Sequence, residues 1–361
     1  MKAIKCEMCG STDFQKQDGM FVCQHCKTKY SVEEAKKIMV EIDDSKKLPN
    51  LYERARKSLE VGDLAHAAEY YKEILDIVPQ DWEAYFYSYL GEITSFTNAE
   101  AASVLSKLGN TIPPAYDMAI KDCSAEEAAS RVNTITLQTV TRILSIVSCG
   151  YALIKEYERG SVLTAEGQVK NQLYSQMRPL TQAIVLAGIG ALQQLDAKLC
   201  TLETVGVDPE VVKTSLLVVR RNKYQIANRT YYANLVCPEK LIKKEFIRRY
   251  AQEVIDLGGF GTCKGEETVA FERDKIKAFL MQEGVRKEVG GGGKGKVTVT
   301  NYKVTLDAKK KSFEKSLENL YDVGYAIPFI YLYFTDGYTV SIKSMALQPQ
   351  DALNLKNKIG L

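Results

Sequence analysis

The sequence predicts a multidomain chain with a small cysteine-rich head, an all-α body and a C-terminal α+β domain. Three observations carry this. Four of the nine cysteines fall in the first 26 residues, as two C-x-x-C pairs. From residue 48 to about 262, apolar residues recur at helical spacing. Beyond a glycine-rich run at 258–265 the composition turns to alternating β-branched and aromatic residues.

The head spans residues 1–30. Cys6 and Cys9 form one pair, and Cys23 and Cys26 form the other, thirteen residues on. Four thiolates in two tight pairs suit a tetrahedral Zn²⁺, which prefers sulfur and needs no redox partner. Gly10 suits the turn after the first pair. Between the pairs, Asp18-Gly19 flanked by short apolar-containing segments predicts a hairpin, and Tyr30 is placed to cover the site. His25 lies inside the second pair, but four cysteines already complete a ligand set. This arrangement resembles the zinc-ribbon family, including ribbons at the head of many bacterial multidomain proteins. The resemblance covers about 30 residues and implies a structural Zn²⁺ on Cys6, Cys9, Cys23 and Cys26. Five lysines against Glu7, Asp13 and Asp18 give residues 1–30 a charge of +2, which a four-thiolate zinc centre cancels. A near-neutral ribbon is a poor start for binding phosphate, so a structural or protein-docking head is expected.

Residues 31–47 follow as a capped helix and linker. Ser31 with Glu34 reads as a capping box, and the helix is expected to end near Ile42. A helical region spans 48–110. Ala55, Gly62, Asp63, Ala67, Tyr71, Leu75 and Pro79 stand where two antiparallel helices must approach, turn and stop. This resembles a tetratricopeptide repeat of about 34 residues. The resemblance implies a surface for a partner protein; a plain helical hairpin gives the same pattern.

An α-helical domain is expected over 111–262. Ser124 and Glu127 open a long helix, and a second long helical pattern covers 162–200. Gly188 and Gly190 read as close helix packing, since no strand precedes them and no third glycine completes a phosphate loop. Asp208-Pro209 opens the next helix and Pro238 the last. Nine basic residues between 220 and 250 are interleaved with aromatics. Arg220, Arg221, Lys223, Lys240, Lys244 and Arg248 are the candidate surface for an anionic partner. On the last helix Lys240, Lys244 and Arg248 are expected opposite Ile242, Phe246 and Tyr250. The competing reading makes these the wet faces of amphipathic helices.

The C-terminal module spans 265–361. A helical stretch is expected at 269–281, a flexible connector at 290–293, and strands from 296 onward. Asp336-Gly337 marks a second hairpin, and a helix closes the chain at 350–359. Val299 to Leu306, the basic turn and Ser316 to Leu320 resemble the pleckstrin-homology-like and GRAM domains of bacteria. That resemblance implies docking or oligomerisation, or lipid binding through Lys294, Lys296, Lys309, Lys310 and Lys311. The expected fold class is therefore a small zinc ribbon, an all-α helical-repeat body and a C-terminal α+β PH-like domain.

A net charge of +3 gives no global field for nucleic acid. The apolar runs at 143–154 and 183–192 are too short to span a bilayer. Cys123, Cys149, Cys200, Cys237 and Cys263 are scattered, and no apolar leader opens the chain, so a cytoplasmic location is expected. His25 and His66 are the only histidines, and no nucleophile, metalloprotease or nucleotide motif accompanies them. The function expected is a non-catalytic adaptor for proteins or further copies of this chain. Its rivals are a nucleic-acid binder using 220–250 with the ribbon, and a peripheral membrane protein using the C-terminal lysines.

Overall fold

The computed structural model describes residues 6–93, 96–163, 167–233, 242–260, 262–285, 288–309 and 311–361. The chain divides into two compact units, Met1–Glu100 with Asn110–Ile135, and Ala101–Gly109 with Thr136–Leu361.

The first unit begins with a three-stranded antiparallel sheet, β1 (Phe14–Gln17), β2 (Met20–Cys23) and β3 (Lys29–Tyr30), in that order. The expected Asp-Gly turn joins β1 to β2, with Gln17 opposite Met20. Asp18 at φ 49° and Gly19 at φ 79° both adopt the left-handed backbone that such two-residue turns require. Helix α1 (Val32–Glu60) follows directly. Ser31 accepts from the Glu34 N–H at 3.1 Å while Glu34 accepts from the Ser31 N–H at 2.8 Å, completing the capping box. The linker expected near 43–49 does not exist: α1 runs through Pro49. The polar stretch before Pro49 continues the helix instead of interrupting it.

Helix α2 (Leu64–Ile77) packs on α1, α3 (Trp82–Gly91) on α2, and α5 (Pro113–Ala119) on α3. Gly62, at φ 79°, turns the chain, and the Asp63 carboxylate accepts from the His66 N–H at 3.1 Å to cap α2. Ala55, Ala67, Tyr71 and Ile74 are wholly buried. The Tyr71 ring stacks on Tyr87 at 5.3 Å, and its hydroxyl donates to Glu83 at 2.7 Å. Arg56 grips the same carboxylate with two bonds of 2.9 and 2.8 Å. A methyl at Gly91 would stand 2.3 Å from the Leu64 carbonyl, so this glycine sets the α2–α3 approach.

The second unit holds α4 (Ala101–Thr111, shared at its end with the first), most of α6 (Ala125–Leu163), α7 (Gly167–Leu202), α8 (Pro209–Ala233) and α9 (Lys244–Ile255). Ser124 and Glu127 form the expected box before α6. The Asp208 carboxylate accepts from the Glu210 N–H at 3.0 Å at the start of α8. Met177–Val205 is long and apolar enough to cross a membrane by length and composition, longer than the run read from sequence, and 50% of its most apolar window is buried. Pro238 lies outside the described residues. The α9 face also differs from expectation: Ile247, Tyr250, Ala251 and Val254 are buried, whereas Phe246 is exposed. Helical spacing fits both assignments, and the packing of α8 against α9 selects one.

A seven-stranded antiparallel sheet follows, in the order β7-β6-β5-β4-β10-β9-β8. The strands are β4 (Val269–Gln282), β5 (Gly290–Thr300), β6 (Lys303–Ala308), β7 (Phe313–Ser316), β8 (Leu320–Ala326), β9 (Phe329–Phe334) and β10 (Tyr338–Lys343). Helix α10 (Pro349–Lys358) packs on β8 and β4, and Ala352, Leu355 and Ile359 join a core with Val297, Ile330, Leu332 and Ile342. Two expectations are corrected. Residues 269–281 form β4 and not a helix: pairing with both β5 and β10 overrides helix-favouring Glu, Lys, Ala, Leu and Met. Glycines 290–293 are not a connector but the start of β5. A methyl at Gly291 would lie 2.2 Å from the Ala278 carbonyl, so the backbones approach too closely for a side chain.

Candidate metal centre

The two C-x-x-C pairs fold as equivalent knuckles. In the first, Cys6 accepts from the Gly10 N–H at 2.8 Å and its own N–H reaches the Ser11 carbonyl at 2.8 Å. In the second, Cys23 accepts from the Lys27 N–H at 2.9 Å and its N–H reaches the Thr28 carbonyl at 2.9 Å. β1 and β2 carry the chain from one knuckle to the other, and β3 returns it beside the site.

All four sulfurs lie within 4.8 Å of one another. Cys6 Sγ is 3.4 Å from Cys26 Sγ, and Cys9 Sγ is 3.5 Å from Cys23 Sγ. A Zn–S bond of about 2.3 Å places tetrahedral sulfurs about 3.8 Å apart. The donor set therefore fits zinc, with Cys6 and Cys23 buried and Cys9 and Cys26 exposed. His25 is exposed in the second knuckle and stands outside the sulfur cluster. Four protein ligands leave no open position for a substrate, which makes the site structural.

Tyr30 covers the site, as expected. Its hydroxyl lies 3.4 Å from Cys6 Sγ and accepts from the Glu7 N–H at 3.2 Å. This contact, helped by Cys26, holds the Cys6 thiol down to about 6 and pushes the Tyr30 phenol up to about 12. Thr28 was not singled out in the sequence, yet its hydroxyl sits 3.1 Å from Cys26 Sγ and lowers that thiol. The signal was present in the matching spacing of Cys9-Gly10-Ser11 and Cys26-Lys27-Thr28. Cys6, Cys23, Tyr30 and Ala35 form the core of the head, with Phe14 and Phe21 against them.

The basic stretch does not form one surface. Arg220 binds Asp196 through bonds of 3.0 to 3.2 Å, and Lys223, buried, binds Asp196 at 3.1 Å and also Glu253. Arg248 pairs with Glu283. Lys244 lies 5.5 Å from the Tyr333 ring centroid, and Arg221 donates to the Gly259 carbonyl. Lys240 lies outside the described residues. The alternation of charge and aromatic residues is shared by an outer surface and by an inner ion-pair network, and α7 and α9 supply the carboxylates that make much of it the latter.

Among the C-terminal lysines, Lys296 pairs with Glu272 at 3.0 Å. Lys309 and Lys311 sit exposed at the β6–β7 turn, and Gly295 opposite Ala308 sets Lys294 beside Lys309 when the register is continued. Lys310 lies outside the described residues.

A family model described as the zinc finger of RNA-polymerase I-specific TFIIB, Rrn7, matches residues 2–31. The match covers the head and no other part of the chain. No curated protein matches. No solved structure matches either. The N-terminal part is thus a zinc ribbon with a four-cysteine site, joined to a helical body and a C-terminal antiparallel sheet.

Proposed function

We propose that this chain is a non-catalytic cytoplasmic adaptor, docking proteins or further copies of itself, whose ribbon is a folded head and not a reactive centre. The observation that carries this reading is the closed four-sulfur site with Met8, inside the first knuckle, left 76% exposed. We read this exposed, polarizable apolar side chain, held out by the knuckle, as the contact for another protein. The tetratricopeptide-like reading of the body is supported by the burial of Ala55, Ala67 and Tyr71 and the left-handed turn at Gly62. The pleckstrin-homology-like reading of the last module is supported by its strand order, with the first strand central, and by α10 closing one side.

The test is site-specific photo-crosslinking from position 8 in native cells. The adaptor reading expects a discrete partner band that Met8→Lys abolishes with zinc content unchanged. Crosslinking that is diffuse and indifferent to the substitution would remove the reading. The family description of the ribbon, which names a polymerase-specific transcription factor, favours a second reading as a nucleic-acid binder. That reading expects oligonucleotide affinity that falls steeply with salt. Absence of binding at low salt would end it. The exposed Lys294, Lys309 and Lys311 motivate a membrane reading, for which the check is co-sedimentation with anionic vesicles.

A further inference from the structure

The arginines of the basic stretch separate into two sets once placed in the fold. Arg220 and Arg248 are held by carboxylates of the same unit. Arg221 and Arg229 are exposed, and among the described residues neither pairs with a carboxylate. Arg221 reaches a backbone carbonyl, and Arg229 lies 4.2 Å from the Tyr151 ring centroid. Both line one cleft of about 620 Å³, together with Gln225, Asn228, Phe260 and Lys356.

Arg221, Gln225 and Arg229 are spaced four apart on α8, so they stack along one helix face. Eight residues of helix rise about 12 Å between the Cα atoms of Arg221 and Arg229, with Gln225 midway between them. Across the cleft, Lys356 Nζ is 2.6 Å from Asp322 Oδ1, and Asn228 donates to Asp322 Oδ2 at 3.3 Å. The charge of Lys356 is thereby balanced, and Arg221 and Arg229 are the other charged side chains among the residues lining the cleft, which also include Gly360 and Leu361. Guanidinium forks match phosphate oxygens two at a time. The volume falls in the range of small-molecule sites.

We propose that this cleft binds a small polyphosphate, a chain of two or three linked phosphates, gripped at its ends by Arg221 and Arg229 and bridged by Gln225. The inference is independent of the adaptor reading and of the ribbon. The shared chemistry is the phosphoanhydride chain, which occurs in nucleotides and as inorganic polyphosphate.

The experiment is titration calorimetry on the full zinc-loaded chain with ATP, inorganic tripolyphosphate and AMP. Binding of ATP or tripolyphosphate is expected at least tenfold tighter than AMP, whose single phosphate cannot span both arginines. Equal affinity for ATP and tripolyphosphate assigns recognition to the phosphates alone; tighter ATP assigns a nucleotide. Arg221→Gln and Arg229→Gln should each weaken binding at least tenfold, while Lys309→Gln leaves it unchanged. Circular dichroism and a melting curve establish that each variant folds. If Arg221→Gln fails to fold through loss of its Gly259 contact, Arg229→Gln and Arg229→Glu decide the question. No heat with either polyphosphate at millimolar concentration overturns the proposal. So does undiminished affinity in Arg229→Gln, and so does a single-stranded oligonucleotide that binds where tripolyphosphate does not.

Discussion

Gly10 and Lys27 hold the same backbone position in the two halves of the metal centre. Each directly follows the second cysteine of its pair, each gives its N–H to the carbonyl of the first, and each is left-handed, at φ 73° and 64°. Glycine adopts this conformation freely, whereas a residue with a Cβ loses about 1–2 kcal/mol. Lys27→Gly should therefore stabilise the ribbon by up to about 1 kcal/mol, part of the gain being offset by the greater freedom of glycine in the unfolded chain. Gly10→Ala should destabilise it by about 1–2 kcal/mol. Zinc retention against a chelator reads both. Weaker retention in Lys27→Gly would show that the two knuckles are not equivalent.

Removing the metal should unfold the head and leave the sheet intact. The head's core is built on Cys6, Cys23, Tyr30 and Ala35, and a module of this size buries too little to stand without its metal. The sheet has its own core, from Phe271 to Ile359, with no residue of the head in it. Chelation should collapse hydrogen-exchange protection over 6–30 and spare 290–343. Tyr30→Phe, which deletes the hydroxyl beside Cys6 Sγ, should lower zinc affinity about tenfold, as outer-shell losses do. Chelation that left protection over 6–30 unchanged would mean the head folds without metal.

The head was the most legible part of the chain because most of its chemistry is local: each C-x-x-C knuckle, the Asp18-Gly19 turn and the capping box is closed within about five residues, and only the meeting of the two knuckles is distant. The helices capped at Ser31 and Ser124 were legible for the same reason. What was misread depends on distant partners. Residues 269–281 are helix-favouring in isolation and become a strand only because β5 and β10 flank them. The glycines of β5 look like a linker until Ala278 and Asp307 are seen pressed against positions 291 and 295. Arg220 and Lys223 read as surface until Asp196, 24 and 27 residues away, is placed beside them. The cleft behind Arg229 needs residues 221 and 356 at once, and no local pattern joins these.

Gly188 and Gly190 were read together as a close-packing pair, and the structure separates them. A methyl at Gly188 would stand 2.4 Å from Val147 Cγ2, whereas one at Gly190 meets nothing within 4 Å. Gly188→Ala should cost about 1–3 kcal/mol through overpacking of α6 against α7. Gly190→Ala should stabilise by about 0.5–1 kcal/mol, because alanine favours the helix and loses less freedom on folding. Urea unfolding of the two variants gives opposite shifts of midpoint. Equal shifts would contradict the packing.

Asp196 joins α7 to α8 by accepting from both Arg220 and Lys223, and its side chain is 12% exposed against 3% for Lys223. Burial opposes its charge, but Arg220 first and Lys223 with it win, so the carboxyl titrates below its ordinary value. A depressed pKa in the folded state means stabilisation that is complete above the ordinary carboxylate value, 3.8, and lost as pH falls through the folded one. Stability measured from neutral pH downward should hold until that region and then decline. Asp196→Asn should remove this part of the acid limb and, by leaving the Lys223 ammonium buried with Glu253 alone, cost about 3–5 kcal/mol at pH 7. Lys223→Met in the Asp196→Asn background should recover part of the loss, since replacing a buried pair by an apolar side chain is often neutral. The discriminating measurement is the double-mutant cycle in urea at pH 7 and at a pH well below 3.8. An Asp196→Asn variant as stable as the parent at pH 7 would mean that the pair does not hold α7 to α8.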